Sequence, residues 1–167
     1  CCVDDCDIKK ANGQLIIVDG VFSMEGDIAD LPSIVEAAKT CGARIMVDDA
    51  HGIGVLGKTG RGTAEHFQLE DQVDLTMGTF SKSLGAVGGF VVGDQATIDY
   101  IKHTARALMF SASLPPSSVA AAGAALDVLE NEPELLERLW KNTRKMLDGY
   151  KALGFDIDSK NRRARAA

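Results

Sequence analysis

The sequence predicts an α/β fold, on three observations. Four short apolar runs read as strands, and they are continuous rather than alternating, the pattern of a sheet covered by helices on both faces. A helical stripe separates the first two runs, which makes a strand–helix–strand unit and therefore a parallel pair with a right-handed crossover. Beyond the fourth run the periodicity is helical. The expected architecture is a mostly parallel sheet flanked by helices, with further strands of that sheet lying outside this chain.

The first strand is Leu15–Val18. The helix after it starts at Asp30 as N-cap with Pro32 in its first turn, carries Leu31, Ile34, Val35 and Ala38 on one stripe, and stops at Gly42. Arg44–Val47, Leu75–Met77 and Gly89–Val92 are the remaining strands. Ile98, Ile101, Ala105 and Leu108 then recur at helical spacing. Pro115-Pro116 interrupts, the Ala-rich run Ser118–Leu129 forms a second helix, and Pro133–Leu153 forms a third. Apolar periodicity ends after Phe155 and Ile157, leaving a basic tail over 158–167 that reads as solvated.

Composition bounds the function. The chain has 167 residues, 46% of them hydrophobic and 25% charged, enough for one domain with a sizeable core. Its formal charge of −6 argues against nucleic acid or anionic lipid as a partner of the whole surface. No apolar run is long enough to span a membrane and no signal-peptide pattern opens the sequence, so a cytoplasmic location is expected. Cys1, Cys2, Cys6 and Cys41 lack zinc-ligand spacing and read as reduced thiols. Both ends look cut, which leads to the expectation of a piece of a longer enzyme.

Ligands of open α/β sheets sit outside the carboxyl ends of the strands. Three polar clusters fall there: Ser23 after the first strand, Asp48, Asp49 and His51 after the second, and Thr79, Ser81 and Lys82 after the third. Lys82 lies among Gly78, Gly85, Gly88 and Gly89. A lysine in a partly desolvated pocket has a lowered pKa and can form a Schiff base, so Lys82 reads either as a covalent or phosphate-binding residue or as a surface lysine. Asp48 ends an apolar strand, where its carboxylate needs a cationic or donor partner, or serves as a cap or loop hydrogen bond. Asp48, Asp49 and His51 could also be metal ligands, but a further ligand is needed and Lys82 opposes a cation, so no metal is expected. Ser23, Thr79 and Ser81 could be satisfied by their own backbone. The Gly85–Gly89 stretch lacks dinucleotide spacing, and His66 and His103 read as surface residues.

The string Asp48-Asp49-Ala50-His51-Gly52, followed about thirty residues on by Gly78-Thr79-Phe80-Ser81-Lys82-Ser83, resembles the α-oxoamine synthases. These are fold-type I enzymes dependent on pyridoxal 5′-phosphate (PLP) that condense an amino acid with an acyl-CoA. Asp19-Gly20-Val21-Phe22-Ser23-Met24-Glu25-Gly26-Asp27 and Phe110-Ser111-Ala112-Ser113-Leu114-Pro115-Pro116 fit the same family. Within it, Thr79–Ser83 and Gly88-Gly89-Phe90 look closest to serine palmitoyltransferases, ahead of glycine C-acetyltransferases and 8-amino-7-oxononanoate synthases.

The resemblance implies a role for each matching residue. Lys82 would carry PLP as a Schiff base, and Asp48 would pair with the protonated pyridine nitrogen. His51 and Ser23 would hydrogen-bond the phenolic oxygen, and Thr79 and Ser81 would contact the phosphate. Ser111 and Ala112 would reach the cofactor phosphate of a partner subunit in a homodimer. It also implies that residues 1–130 belong to the PLP-binding large domain and that 131–157 lead into a small C-terminal domain. A ring-stacking aromatic and an arginine for the substrate carboxylate would lie outside this chain, so the chain by itself is expected not to turn over. An aminotransferase of the same fold and a catalytically incompetent fragment or partner subunit are the competing functions. The presence of Lys82 argues against a natural pseudo-subunit.

Overall fold

The computed structural model describes residues 13–155 and residue 157. The expectations for Cys1, Cys2, Cys6 and the tail over 158–167 fall outside these residues; Cys41 is a free, partly exposed thiol. The elements run β1 (Leu15–Asp19), α1 (Leu31–Cys41), β2 (Arg44–Asp48), α2 (Thr63–Phe67), a 3₁₀ turn at Glu70–Gln72, β3 (Leu75–Thr79), β4 (Gly89–Gly93), α3 (Gln95–Thr104), α4 (Arg106–Met109), α5 (Pro116–Asn131) and α6 (Glu134–Ala152). The α/β class is as expected.

The sheet order is β1-β2-β3-β4. β1 and β2 pair parallel from Leu15↔Arg44 to Asp19↔Asp48, as the strand–helix–strand unit required. β2 and β3 are also parallel, with Asp48 opposite Met77. β4 runs antiparallel to β3, with Thr79 opposite Gly89. Close approach at this last pairing depends on glycine: a Cβ at Gly78 would collide with the Phe90 ring, and one at Gly89 would stand 2.8 Å from the Gly78 carbonyl oxygen. Phe80 and Phe90 stack with centroids 5.6 Å apart across the same turn.

α1 forms where expected. Pro32 sits in its first turn, and Gly42 ends it at φ +68°, donating its N–H to the Ala38 and Lys39 carbonyls. Asp30 occupies the N-cap, but its carboxylate accepts from the Ser33 hydroxyl (2.8 Å) rather than from a backbone N–H. Leu31, Val35 and Ala38 pack on Ile45 and Val47 of β2 and on Ala64 of α2, with Ile16 and Val18 beside them. This is the core, and it lies on one face of the sheet.

Two expectations fail here. The continuous apolar runs predict strands covered on both faces, yet Leu15 and Ile17 of β1 are 49% and 63% exposed. The alternate positions Ile16 and Val18 meet α1, while no described helix covers the opposite side of β1. The single helix read through Ile98–Leu108 is broken at Ala105, whose ψ of 102° is extended. At that break the Thr104 hydroxyl donates to the Tyr100 carbonyl (2.7 Å), the local competition with the helix ladder that hydroxyl residues offer. α2, carried by the short string Thr63–Phe67, had no periodic signal long enough to predict it.

Candidate active site

Each parallel strand ends on a polar residue, at Asp19, Asp48 and Thr79. The register therefore brings the clusters to one edge of the sheet. The observed strands run one or two residues beyond the predicted ones, which makes Asp48 and Thr79 the last residues of β2 and β3.

Asp48 is half-buried and its Oδ1 accepts from the Ala50 N–H (3.1 Å). Among the described residues no donor reaches its Oδ2. His51 follows in the turn, half-buried. Asp49 is different: it is fully buried. Its Oδ2 accepts from the Thr63 N–H (2.6 Å) and its Oδ1 from the Thr63 hydroxyl (2.7 Å). Burial pushes the Asp49 carboxyl above the ordinary carboxylate value, and the two Thr63 bonds draw it part of the way back. Both of its oxygens accept from Thr63, and the side chain is closed off from solvent.

Beyond β3, the Thr79 hydroxyl donates to the Gly88 carbonyl (3.1 Å) and accepts from the Ser81 N–H (3.3 Å), with the Ser81 hydroxyl 2.8 Å away. The backbone satisfaction weighed for these hydroxyls is thus present, and it shapes the turn that presents Lys82. Gly88 closes that turn at φ +120°, a conformation open to glycine. Lys82 itself is exposed. The desolvated pocket expected around it is not formed by the described residues, because the turn stands at the rim of the sheet. A cavity of about 350 Å³ lies behind the turn, lined by Gly54, Ser83, Leu84, Val128, Leu129 and Leu136.

Ser23 lies exposed in the turn after β1. Ser111 and Ala112 are exposed too, and no hydrogen bond links them to the Asp48 or Lys82 clusters; the Ser111 hydroxyl donates to the Leu108 carbonyl (3.0 Å). Their segment still runs close by, since the Leu114 side chain lies against Gly88. His66 and His103 are surface residues, as expected. Among the described residues no three His, Cys, Asp or Glu side chains converge as metal ligands. No helix among them is long and apolar enough to cross a membrane.

Sequence reasoning missed the tethers of the segment between β2 and α2. The Glu65 carboxylate accepts from the Thr59 N–H and hydroxyl and from the Arg61 N–H. The Trp140 indole N–H donates to the Val55 carbonyl (2.8 Å), joining α6 to the same segment. The density of glycines at 52, 54, 57, 60 and 62 was the available signal that this loop needs holding.

A sheet edge with an acidic strand end, a hydroxyl pair and a lysine on a glycine turn defines a class. The chain belongs to the aminotransferase class I and II family, whose model matches residues 4–162. It is 55% identical over 150 residues to a serine palmitoyltransferase of Sphingobacterium spiritivorum, covering 90% of this chain and 38% of that protein. It is 52% identical over 144 residues to an 8-amino-7-oxononanoate synthase of Petrotoga mobilis, covering 86% of this chain and 37% of that protein. The fold superposes on a serine palmitoyltransferase of S. paucimobilis bearing a PLP–myriocin aldimine with a TM-score of 0.85 at 42% identity, over 92% of this chain and 40% of that one. The chain therefore spans well under half the length of the relatives it matches.

Proposed function

We propose that this chain supplies the cofactor-holding segment of a PLP-dependent acyl-CoA:amino acid C-acyltransferase. The reaction condenses serine or glycine with an acyl-CoA to a 2-amino ketone: the amino acid loses its carboxyl as CO2, a carbon–carbon bond forms to the acyl carbonyl, and CoA leaves as the thiol. The observation that carries this reading is the shared sheet edge of Asp48, His51, Thr79, Ser81 and Lys82. The residues suit PLP on the structure's own terms. Asp48 keeps Oδ2 without a donor among the described residues, and its charge would match a protonated ring nitrogen. The Thr79 and Ser81 hydroxyls, bonded to the Gly88 carbonyl and to each other, can exchange those bonds for a phosphate dianion.

When bound, PLP supplies an electron sink for the carbanion left at the amino acid α-carbon. The chain's residues do the rest. Lys82 would hold the cofactor aldehyde through its amine. Asp48 would hold a proton on the ring nitrogen, which keeps the sink effective. His51 and Ser23 would donate to the phenolic oxygen, and Thr79 and Ser81 would bind the phosphate. Ser111 and Ala112 reach the phosphate in a partner subunit of a homodimer. Residues 1–130 form part of the large PLP-binding domain and 131–157 lead into a small domain; the enzyme acts in the cytoplasm.

The test is incubation of the complete enzyme that carries this segment with PLP, serine or glycine, and acyl-CoA thioesters of several lengths. Release of CoA and CO2 in equal amounts is expected. Formation of a keto acid without CoA release would overturn the reading in favour of an aminotransferase.

A further inference from the structure

The loop from Ala50 to Gly62 carries His51, and four of its glycines, Gly54, Gly57, Gly60 and Gly62, hold positive φ. Such a segment has unusual conformational freedom unless it is tied down. Of its tethers, the Asp49–Thr63 pair lies nearest the chemistry, adjacent in the chain to Asp48 and two residues from His51. Side chains alternate across a strand end, so Asp48 and Asp49 leave β2 on opposite sides. Asp48 is half-buried with one oxygen that no donor among the described residues reaches, while Asp49 is fully buried.

The surroundings of Asp49 are shaped for it. A Cβ at Gly52 or Gly62 would collide with its carboxylate, and one at Gly20 would stand 2.6 Å from Oδ1. The backbone at this point is gripped from both neighbours: the Gly20 N–H donates to the Asp48 carbonyl (2.8 Å) and the Asp49 N–H to the Met77 carbonyl (2.8 Å). The N–H groups of Gly52 and Ile53 both donate to the Asp49 carbonyl (3.0 Å each), folding the His51 turn back onto the same residue. Backbone bonds at Asp48 and Asp49 thus join the ends of three strands, and the buried Asp49 carboxylate adds the link from that point to the start of α2.

We infer that Asp49 is a positioning residue: by holding both donors of Thr63 it fixes the directions of Asp48 and His51 at the rim, and it does not touch the cofactor. The cofactor arm of the test rests on the PLP reading above; the histidine arm does not. Asparagine separates the possible roles. Its Oδ1 can accept the Thr63 N–H while its Nδ2 donates to the Thr63 oxygen, which also accepts, so Asp49→Asn keeps the clamp without the charge. Asp49→Ala loses both bonds.

The chain has three histidines; His66 shares α2 with Thr63, and His103 is exposed on α3, so ring-labelled histidine gives a His51 resonance with His103 as internal reference. In the PLP-free full chain, Asp49→Ala and Thr63→Val should broaden or split the His51 signal and leave His103 unmoved. Asp49→Asn and Thr63→Ser should retain a single, wild-type-like signal. In the PLP-loaded enzyme, Asp49→Ala and Thr63→Val should weaken cofactor binding by about tenfold, while Asp49→Asn stays within about twofold of wild type. If Asp49→Ala does not fold, the Thr63→Val and Thr63→Ser pair decides the matter. A His51 signal untouched by Thr63→Val overturns the clamp. An Asp49→Asn enzyme as impaired in kcat as Asp48→Asn overturns the positioning role and makes Asp49 catalytic. Failure of every protein, wild type included, to bind PLP overturns the PLP reading alone and leaves the histidine result to judge the clamp.

Discussion

The stretch from β1 to Leu84 and the stretch from Val87 to Phe155 solve different problems. Among the described residues, the first holds eleven of the twelve buried hydrophobic ones; the second holds only Ala122. Conversely, sixteen of the twenty exposed large hydrophobics described lie from Val87 onward, on β4, α3, α4, α5, α6 and their ends. Most of the candidate chemistry stands on the part that supplies its own core. The helices beyond it present apolar faces that the described residues do not cover, and the Trp140 indole N–H ties α6 back to the first part by a hydrogen bond to the Val55 carbonyl. Rigid placement of a few polar groups and exposure of broad apolar faces are thus segregated along one chain.

The largest effect expected from this contrast is on stability. Leu31 is fully buried in the α1–β2 core, so Leu31→Ala should cost about 2–5 kcal/mol in urea unfolding. Met146 of α6 is 59% exposed, and Met146→Ala should stay within about 0.5 kcal/mol of wild type. Equal losses would abolish the distinction between the two parts. On activity, Asp48→Asn in the complete enzyme should lower kcat by at least about 100-fold, the scale of a lost preorganised charge. Ser111→Ala, in the second part, should raise the Kd for PLP by less than about tenfold, the worth of one hydrogen bond.

A smaller effect concerns pH. Burial raises the Asp49 pKa, so the native state binds that proton more tightly than the unfolded chain does. Stability from this group is therefore greatest below the ordinary value of 3.8 and falls as pH rises toward the raised one. Unfolding of wild type and Asp49→Asn, compared across that window, should show the wild type losing ground as pH increases. A gap that is flat or moves the other way contradicts the burial argument. The smallest effect is at α3, where the Asp94 N-cap accepts from the Thr97 N–H (3.0 Å) and hydroxyl. Those bonds lower the Asp94 pKa, so the cap is in place above the ordinary carboxylate range and lost as pH falls through the lowered value. Faster amide exchange at Thr97 in acid, absent in Asp94→Ala, is the expected sign.

The strands, the helices with strong periodicity and the strand-end position of Asp48, Thr79 and Lys82 were legible in the sequence, because apolar runs and glycine stops are local signals. Gly42 is one: it marked the end of α1 and adopts the left-handed conformation there. What pairs across distance was not legible. Nothing local tells that Asp49 bonds Thr63 fourteen residues away, that Trp140 reaches Val55, or that β4 turns antiparallel. Exposure was misjudged for the same reason: the apolar content of β1 and the glycines around Lys82 suggested cover, but cover comes from other elements.

The account turns on Lys82, and one measurement addresses it directly. The complete enzyme is loaded with PLP, reduced with borohydride and digested, and the pyridoxyl group is located by mass spectrometry. The account predicts the adduct on the peptide containing Lys82, and no reducible visible absorbance in Lys82→Ala. An adduct on any other lysine, or a Lys82→Ala protein that still forms it at the wild-type level, would contradict the assignment of this sheet edge as the cofactor site.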